Sequence, residues 1–185
     1  MNIAIISSSV RMGRNSHRMA LFFENYITQN KIANVVMLDL KEYNFPVFEE
    51  RLRLMKEPPA GAVPFAEKVK SADGIIIVTP EYNGGYPACL KNVIDLLYAE
   101  WKRKPIAIAT ASDGQFGGTQ VSTSLVFTLY KIGAWLVPAR YVGPKVQEAY
   151  SEDGTPADKE GTEKRAKPFI DELVWCIDAG NKMKQ

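Results

Sequence analysis

"GIIIVTPEYNGGYPACLKN", residues 74–92, changes its period partway through. Gly74 to Thr79 is a continuous apolar run rich in β-branched residues, the pattern of a strand buried on both faces. From Pro87 a helix is predicted. Proline suits a first helical position, and Leu90, Val93, Ile94, Leu97, Tyr98 and Trp101 fall on one stripe. Between the two lies a turn holding a proline, an acid, an aromatic, an Asn and two glycines. A buried strand feeding a helix is half of a βαβ unit, and such units build parallel sheets.

The same alternation extends in both directions. Ile3 to Ile6 reads as a first strand, followed by Met19, Phe23, Tyr26 and Ile27 on one helical face. Val35 to Leu38 is a second strand, and residues 41–61, rich in proline and charge, read as a surface loop. Val63, Ala66 and Val69 mark a short helix. Pro105 to Thr110 is a fourth strand, Val121, Leu125, Thr128 and Leu129 a helix, and "AWLVPA" from Ala134 a last strand. Residues 143–160 read as loop, and Phe169, Ile170, Leu173, Val174 and Ile177 stripe a closing helix. Strands and helices therefore alternate in an α/β chain with helices on both sheet faces. Two doubly wound arrangements satisfy this: a Rossmann half, or a flavodoxin-like sheet ordered 2-1-3-4-5. Both bind ligands beyond the carboxyl ends of the strands.

The chain has 185 residues, read as one domain over 1–185. Its net charge of +2 is too balanced for nucleic acid or a membrane surface to be the main partner. Cys89 and Cys176 lie in separate helical patterns and make no disulfide framework, so a reducing, cytoplasmic setting is expected. The single histidine, His17, rules out a His-rich metal site. No apolar run approaches a membrane span.

Three loops follow the first, third and fourth strands. "SSSVRMGRNSHR", residues 7–18, gathers hydroxyls, arginines, Gly13 and Asn15 where a helix begins. Helix starts present free N–H groups and partial positive charge, which attract phosphate. The loop has neither G-x-G-x-x-G nor the lysine-bearing Walker pattern. The alternative is plain capping by Asn15 or Ser16. In the second loop, Pro80 cannot donate to the ladder, while Asn83, Gly84 and Gly85 permit positive φ and lift Glu81 and Tyr82 to the rim. A turn needing no ligand is the alternative there. "TASDGQFGGTQ", residues 110–120, lets the backbone near Ser112, Gly114, Gly117 and Gly118 approach a ligand, with a glycine-rich connection as the alternative.

Together "SSVRMGRNS", "TPEYNGGYPACLKNVIDLL" and "ASDGQFGG" resemble the NADPH-dependent FMN reductases, a flavodoxin-like group that includes azo-dye, quinone and chromate reductases. The resemblance covers nearly the whole chain. It implies the flavodoxin-like three-layer sandwich. It also implies FMN phosphate held by Ser9, Arg11, Asn15 and Ser16, with Pro80, Glu81, Tyr82, Asn83 and Gly84 along the flavin ring and Ser112, Gly114, Gly117 and Gly118 on the other side. Arg14 replaces a small or hydroxyl residue of many members and would add a phosphate contact or face solvent; Ser8 replaces a common glycine. The resemblance further implies NADPH or NADH as hydride donor, a small-molecule electron acceptor, and a homodimer or homotetramer anchored by Tyr98 or Trp101. No catalytic side chain and no metal is implied, since flavin supplies the chemistry. Tyr82 would stack on a ring or pack on its own loop. The run Lys102-Arg103-Lys104 reads as a solvated helix end, with attraction of the NADPH phosphate as its alternative. The rival functions are a flavodoxin-type electron carrier and a flavin-free binding module on the same fold.

Overall fold

In a computed structural model describing residues 1–183, five parallel strands form one sheet of order β2-β1-β3-β4-β5. The strands are β1 (Asn2–Ser7), β2 (Asn34–Asp39), β3 (Gly74–Pro80), β4 (Pro105–Ala111) and β5 (Trp135–Gly143). The helices are α1 (Ser16–Gln29), α2 (Leu40–Tyr43), α3 (Ala62–Ser71), α4 (Ala88–Leu96), α5 (Val121–Lys131), α6 (Val146–Ala149) and α7 (Lys159–Lys182). This is the flavodoxin-like order, and the Rossmann alternative is excluded by it.

The apolar strands alternate their side chains between two cores. Ile3, Ile5, Ile76 and Val78 pack with Phe23, Phe169 and Leu173 of α1 and α7. Ala4, Ile6, Ile75 and Ile77 pack with Phe65, Leu90, Ile94 and Leu125 of α3, α4 and α5. A sheet covered on both faces requires such uninterrupted apolar strands. Among the described residues, no helix is long and apolar enough to cross a membrane.

Several boundaries differ from the expectation. The helix after Pro87 stops at Leu96. Leu97 is extended, and a separate 3-10 turn spans Ala99–Trp101. That break folds Trp101 back beneath α4, where it is fully buried and its indole N–H donates to the Ile94 carbonyl at 3.1 Å. Trp101 is therefore no subunit anchor. Tyr98 is turned outward, 51% exposed, under the Arg51 guanidinium at 4.6 Å. In α3 the buried face is Ala62, Phe65, Ala66 and Val69, and Val63 faces solvent.

The segment 41–61 is largely loop, with the end of α2 and a 3-10 turn at Leu52–Leu54. Asn92 of α4 anchors it, donating to the Pro46 carbonyl at 2.6 Å and accepting the Phe48 N–H. The segment 143–160 contains α6 and the start of α7, whose first turn is capped by Asp158 accepting the Gly161 N–H at 3.0 Å. β5 runs four residues beyond Ala139, and its register against β4 slips between Ile106 and Ile108, opposite the stretch holding Pro138, which an edge strand or a bulge tolerates.

Candidate flavin site

β1, β3 and β4 end together, so their loops meet at one sheet edge. β1 pairing continues one residue past the strand through the Ser8 N–H to Val78 carbonyl bond at 3.1 Å. A cleft of about 170 Å³ lies there, lined by residues of all three loops. It brings together Ser9, Arg11, Arg14, Asn15, Ser16, Pro80, Glu81, Tyr82 and Ser112 of the expected set, and adds Gly13, Ala111, Asp113 and Val146.

The first loop is preshaped. The Ser9 hydroxyl hydrogen-bonds the Tyr82 hydroxyl at 2.7 Å, joining the loops after β1 and β3. Arg11 lies over the Tyr82 ring at 5.6 Å, its guanidinium exposed at the mouth. Tyr82 thus packs across onto the first loop rather than on its own. The Ser8 carbonyl accepts the Cys89 thiol at 2.9 Å. Burial pushes the Cys89 thiol above its ordinary range, which makes it a packing group and not a thiolate.

The capping alternative for this loop fails at both candidates. Asn15 precedes α1 without a side-chain cap, its amide instead reaching Asp113 and Gln147 at 3.4 Å. Ser16 is buried and, among the described residues, its hydroxyl has no hydrogen-bond partner. A buried hydroxyl left unpaired costs about 1–3 kcal/mol. Here it lines the cleft at the first turn of α1, at the positive end of the helix dipole, in a cleft that Arg11 also lines. An anionic oxygen at this point would satisfy the hydroxyl and complement both charges. The residues present therefore fit a phosphate group.

Arg14 takes neither expected position. It turns inward onto Asp39, with Nη2 at 2.6 Å from Oδ2 and Nη1 on Oδ1, and Nη1 also reaches the Ser9 carbonyl at 3.3 Å. Burial opposes ionisation of Asp39, but the Arg14 hydrogen bonds, the Lys41 N–H and the Arg14 charge outweigh it and hold the carboxyl below its usual range. His17 is half-buried behind the loop, its Nδ1 bonded to the Ser7 hydroxyl at 2.9 Å. Burial, then Arg14, lowers its pKa.

Five expected residues do not line the cleft: Asn83, Gly84, Gly114, Gly117 and Gly118. Asn83 and Gly84 both have positive φ, 53° and 80°, inside a turn closed by paired Tyr82–Gly85 backbone bonds. That is the type I′ geometry, which favours Asn-Gly for its own sake. Gly117 and Gly118 are buried against the protein. A Cβ on Gly117 would collide with the Val142 Cγ1 and meet the Pro144 nitrogen at 2.9 Å, and one on Gly118 would meet the Ala111 carbonyl oxygen at 3.0 Å. Their close approach is to β4 and β5. Glu81 accepts the Val121 N–H at 3.1 Å and so caps α5 from a distant loop. Lys102 to Lys104 precede β4, at the sheet edge opposite the cleft, and the Lys104 ammonium donates to the Lys70 carbonyl at 2.9 Å.

A family model described as NADPH-dependent FMN reductase matches residues 1–148. An NAD(P)H-dependent FMN reductase of Saccharomyces cerevisiae is 31% identical over 143 residues, covering 70% of this chain and 74% of that one. A quinone reductase of Pseudomonas putida is 28% identical over 183 residues, covering 94% and 90%. Among solved structures, the flavoenzyme NAD(P)H:(acceptor) oxidoreductase FerB of Paracoccus denitrificans is similar at TM-score 0.79 and 25% identity, over 97% of this chain and 98% of that one.

Proposed function

The chain belongs to the NADPH-dependent FMN reductase family, and from that membership we propose that the cleft at the β1, β3 and β4 ends is where its FMN is held and reduced. The activity is NAD(P)H-dependent reduction of FMN, by an oxidoreductase with FMN as cofactor. The observation that carries the site assignment is the unpaired buried hydroxyl of Ser16 in a cleft that also presents Arg11. Bound FMN would supply hydride acceptance at its ring and passage of electrons onward to a second substrate.

The protein's own contribution is binding and orientation. Ser16, Ser9 and Arg11 take the phosphate. Pro80 and Ser112, at the ends of β3 and β4, set the rim along which the flat ring lies. The Ser9–Tyr82 bond fixes the distance between the phosphate loop and that rim.

The second substrate is a small molecule, and we assign it to the quinone class on the likeness to the Pseudomonas putida quinone reductase. One open ring face would then serve donor and acceptor in turn. Initial rates with NADPH and a quinone varied together should give parallel double-reciprocal lines, the pattern of a ping-pong sequence. Intersecting lines would require both substrates bound at once and would refute the shared face.

Residues 1–185 are taken as one domain, on the ground that both cores share one sheet. A homo-oligomer is favoured by Phe127 and Tyr130 of α5, which are 68% and 72% exposed on one helix. A cytoplasmic setting is favoured by the free thiols of Cys89 and Cys176.

A further inference from the structure

Asp39 ends β2 and stands opposite Ser7 of β1 in the sheet register. It is 4% exposed, and three donors converge on its carboxylate. Two are the Arg14 guanidinium nitrogens, Nη2 at 2.6 Å, and the third is the Lys41 N–H at 3.0 Å. His17 Nδ1 lies 3.8 Å away. Because Arg14 Nη1 also donates to the Ser9 carbonyl, one guanidinium ties residue 9, residue 14 and the end of β2 together. The turn carrying Val10 to Gly13 is closed across its base. A buried carboxylate persists only when paired in this way, and the pairing cancels the charge Arg14 would otherwise offer the cleft.

We infer that the Arg14–Asp39 pair is a positioning device for the FMN phosphate, fixing the curve of the β1–α1 loop so that Ser9, Arg11 and Ser16 converge. Arg14 itself makes no bond to the anion. The inference rests on the cleft being the flavin site. A loop already curved loses less freedom when its ligand arrives, which strengthens binding without adding a contact. The competing arrangement has Arg14 leave Asp39 and grip the phosphate directly. The two differ in sign at Asp39: a positioning carboxylate strengthens FMN binding, whereas a competing one weakens it.

The test is titration of the flavin-free full chain with FMN and with riboflavin, which lacks the phosphate, followed by flavin fluorescence. Wild type, Arg14→Gln, Asp39→Asn and the double variant are compared. Each variant should bind FMN about tenfold or more weakly and riboflavin as wild type does. The double variant should be no weaker than either single one, because all three break the same contact. It leaves no unpaired buried charge, so it decides the matter if a single variant does not fold. FMN binding by Asp39→Asn at or above wild-type strength overturns the inference, as does a double variant with wild-type affinity or a parallel loss for riboflavin. A wild-type chain binding neither flavin overturns the site assignment itself, and the inference with it.

Discussion

Arg11 and Arg14 sit three residues apart in one loop and face opposite ways. Arg11 is exposed over Tyr82 at the mouth of the cleft, while Arg14 is committed to Asp39. Arg11→Ala should therefore weaken FMN binding by about 1.5–3 kcal/mol and leave thermal stability nearly unchanged, which paired affinity and melting measurements will check. Glu81 gives the converse case. It lines the cleft, but its carboxylate is spent on α5. Glu81→Ala should cost about 1 kcal/mol of stability, the worth of a lost helix cap, read as a lower melting temperature. At this scale the hydroxyls and Arg11 were conspicuous as a cluster before a helix, and the structure brings Ser9, Arg11 and Ser16 into one cleft. Asp39 was not. Its partner is 25 positions away, and a lone acid after a strand looks the same whether solvated or paired.

Elements were legible where a period ran uninterrupted and obscure where tertiary contacts overruled it. All five strands and the apolar face of α1 follow from apolar pattern alone. The stripe from Leu90 to Trp101 continues at helical spacing, yet the chain breaks at Leu97 because Trp101 is better buried under α4 than extended along it. The glycines of the third loop suggest, from sequence, room for a ligand. Glycine composition reports only that something comes close, and at Gly117 and Gly118 the close neighbour is the protein's own sheet. Gly117→Ala combines a φ of +58° with contact against Val142 and the Pro144 backbone. Strain of that kind costs about 1–3 kcal/mol. The variant should unfold at lower denaturant concentration, and a midpoint equal to wild type would show that the loop has another conformation available.

For the molecule as a whole, right-handed crossovers narrowed the sheet to two orders, and the resemblance of the loops selected the one observed. The network behind the β1–α1 loop also couples the fold to pH. The folded-state pKa of His17 lies below 6.5, so as pH falls through 6.5 the unfolded chain takes up the proton first and stability declines. Asp39 acts in a lower window. Its folded pKa lies below 3.8, so its contribution is complete above that value and is lost as pH falls toward the depressed one. Urea midpoints measured across this range should fall in both windows. His17→Gln should remove the decline just below pH 6.5 and keep the more acidic one; a variant with the wild-type slope would place the titrating group elsewhere.

Direct acceptance of hydride from NADPH by a family-type FMN at this sheet edge is what separates a reductase from an electron carrier. Mixing the FMN-loaded protein with NADPH in the absence of oxygen tests it. Loss of the oxidised-flavin absorbance on the timescale of turnover is the predicted result. Flavin that stays oxidised for minutes would mark an electron carrier and contradict the account.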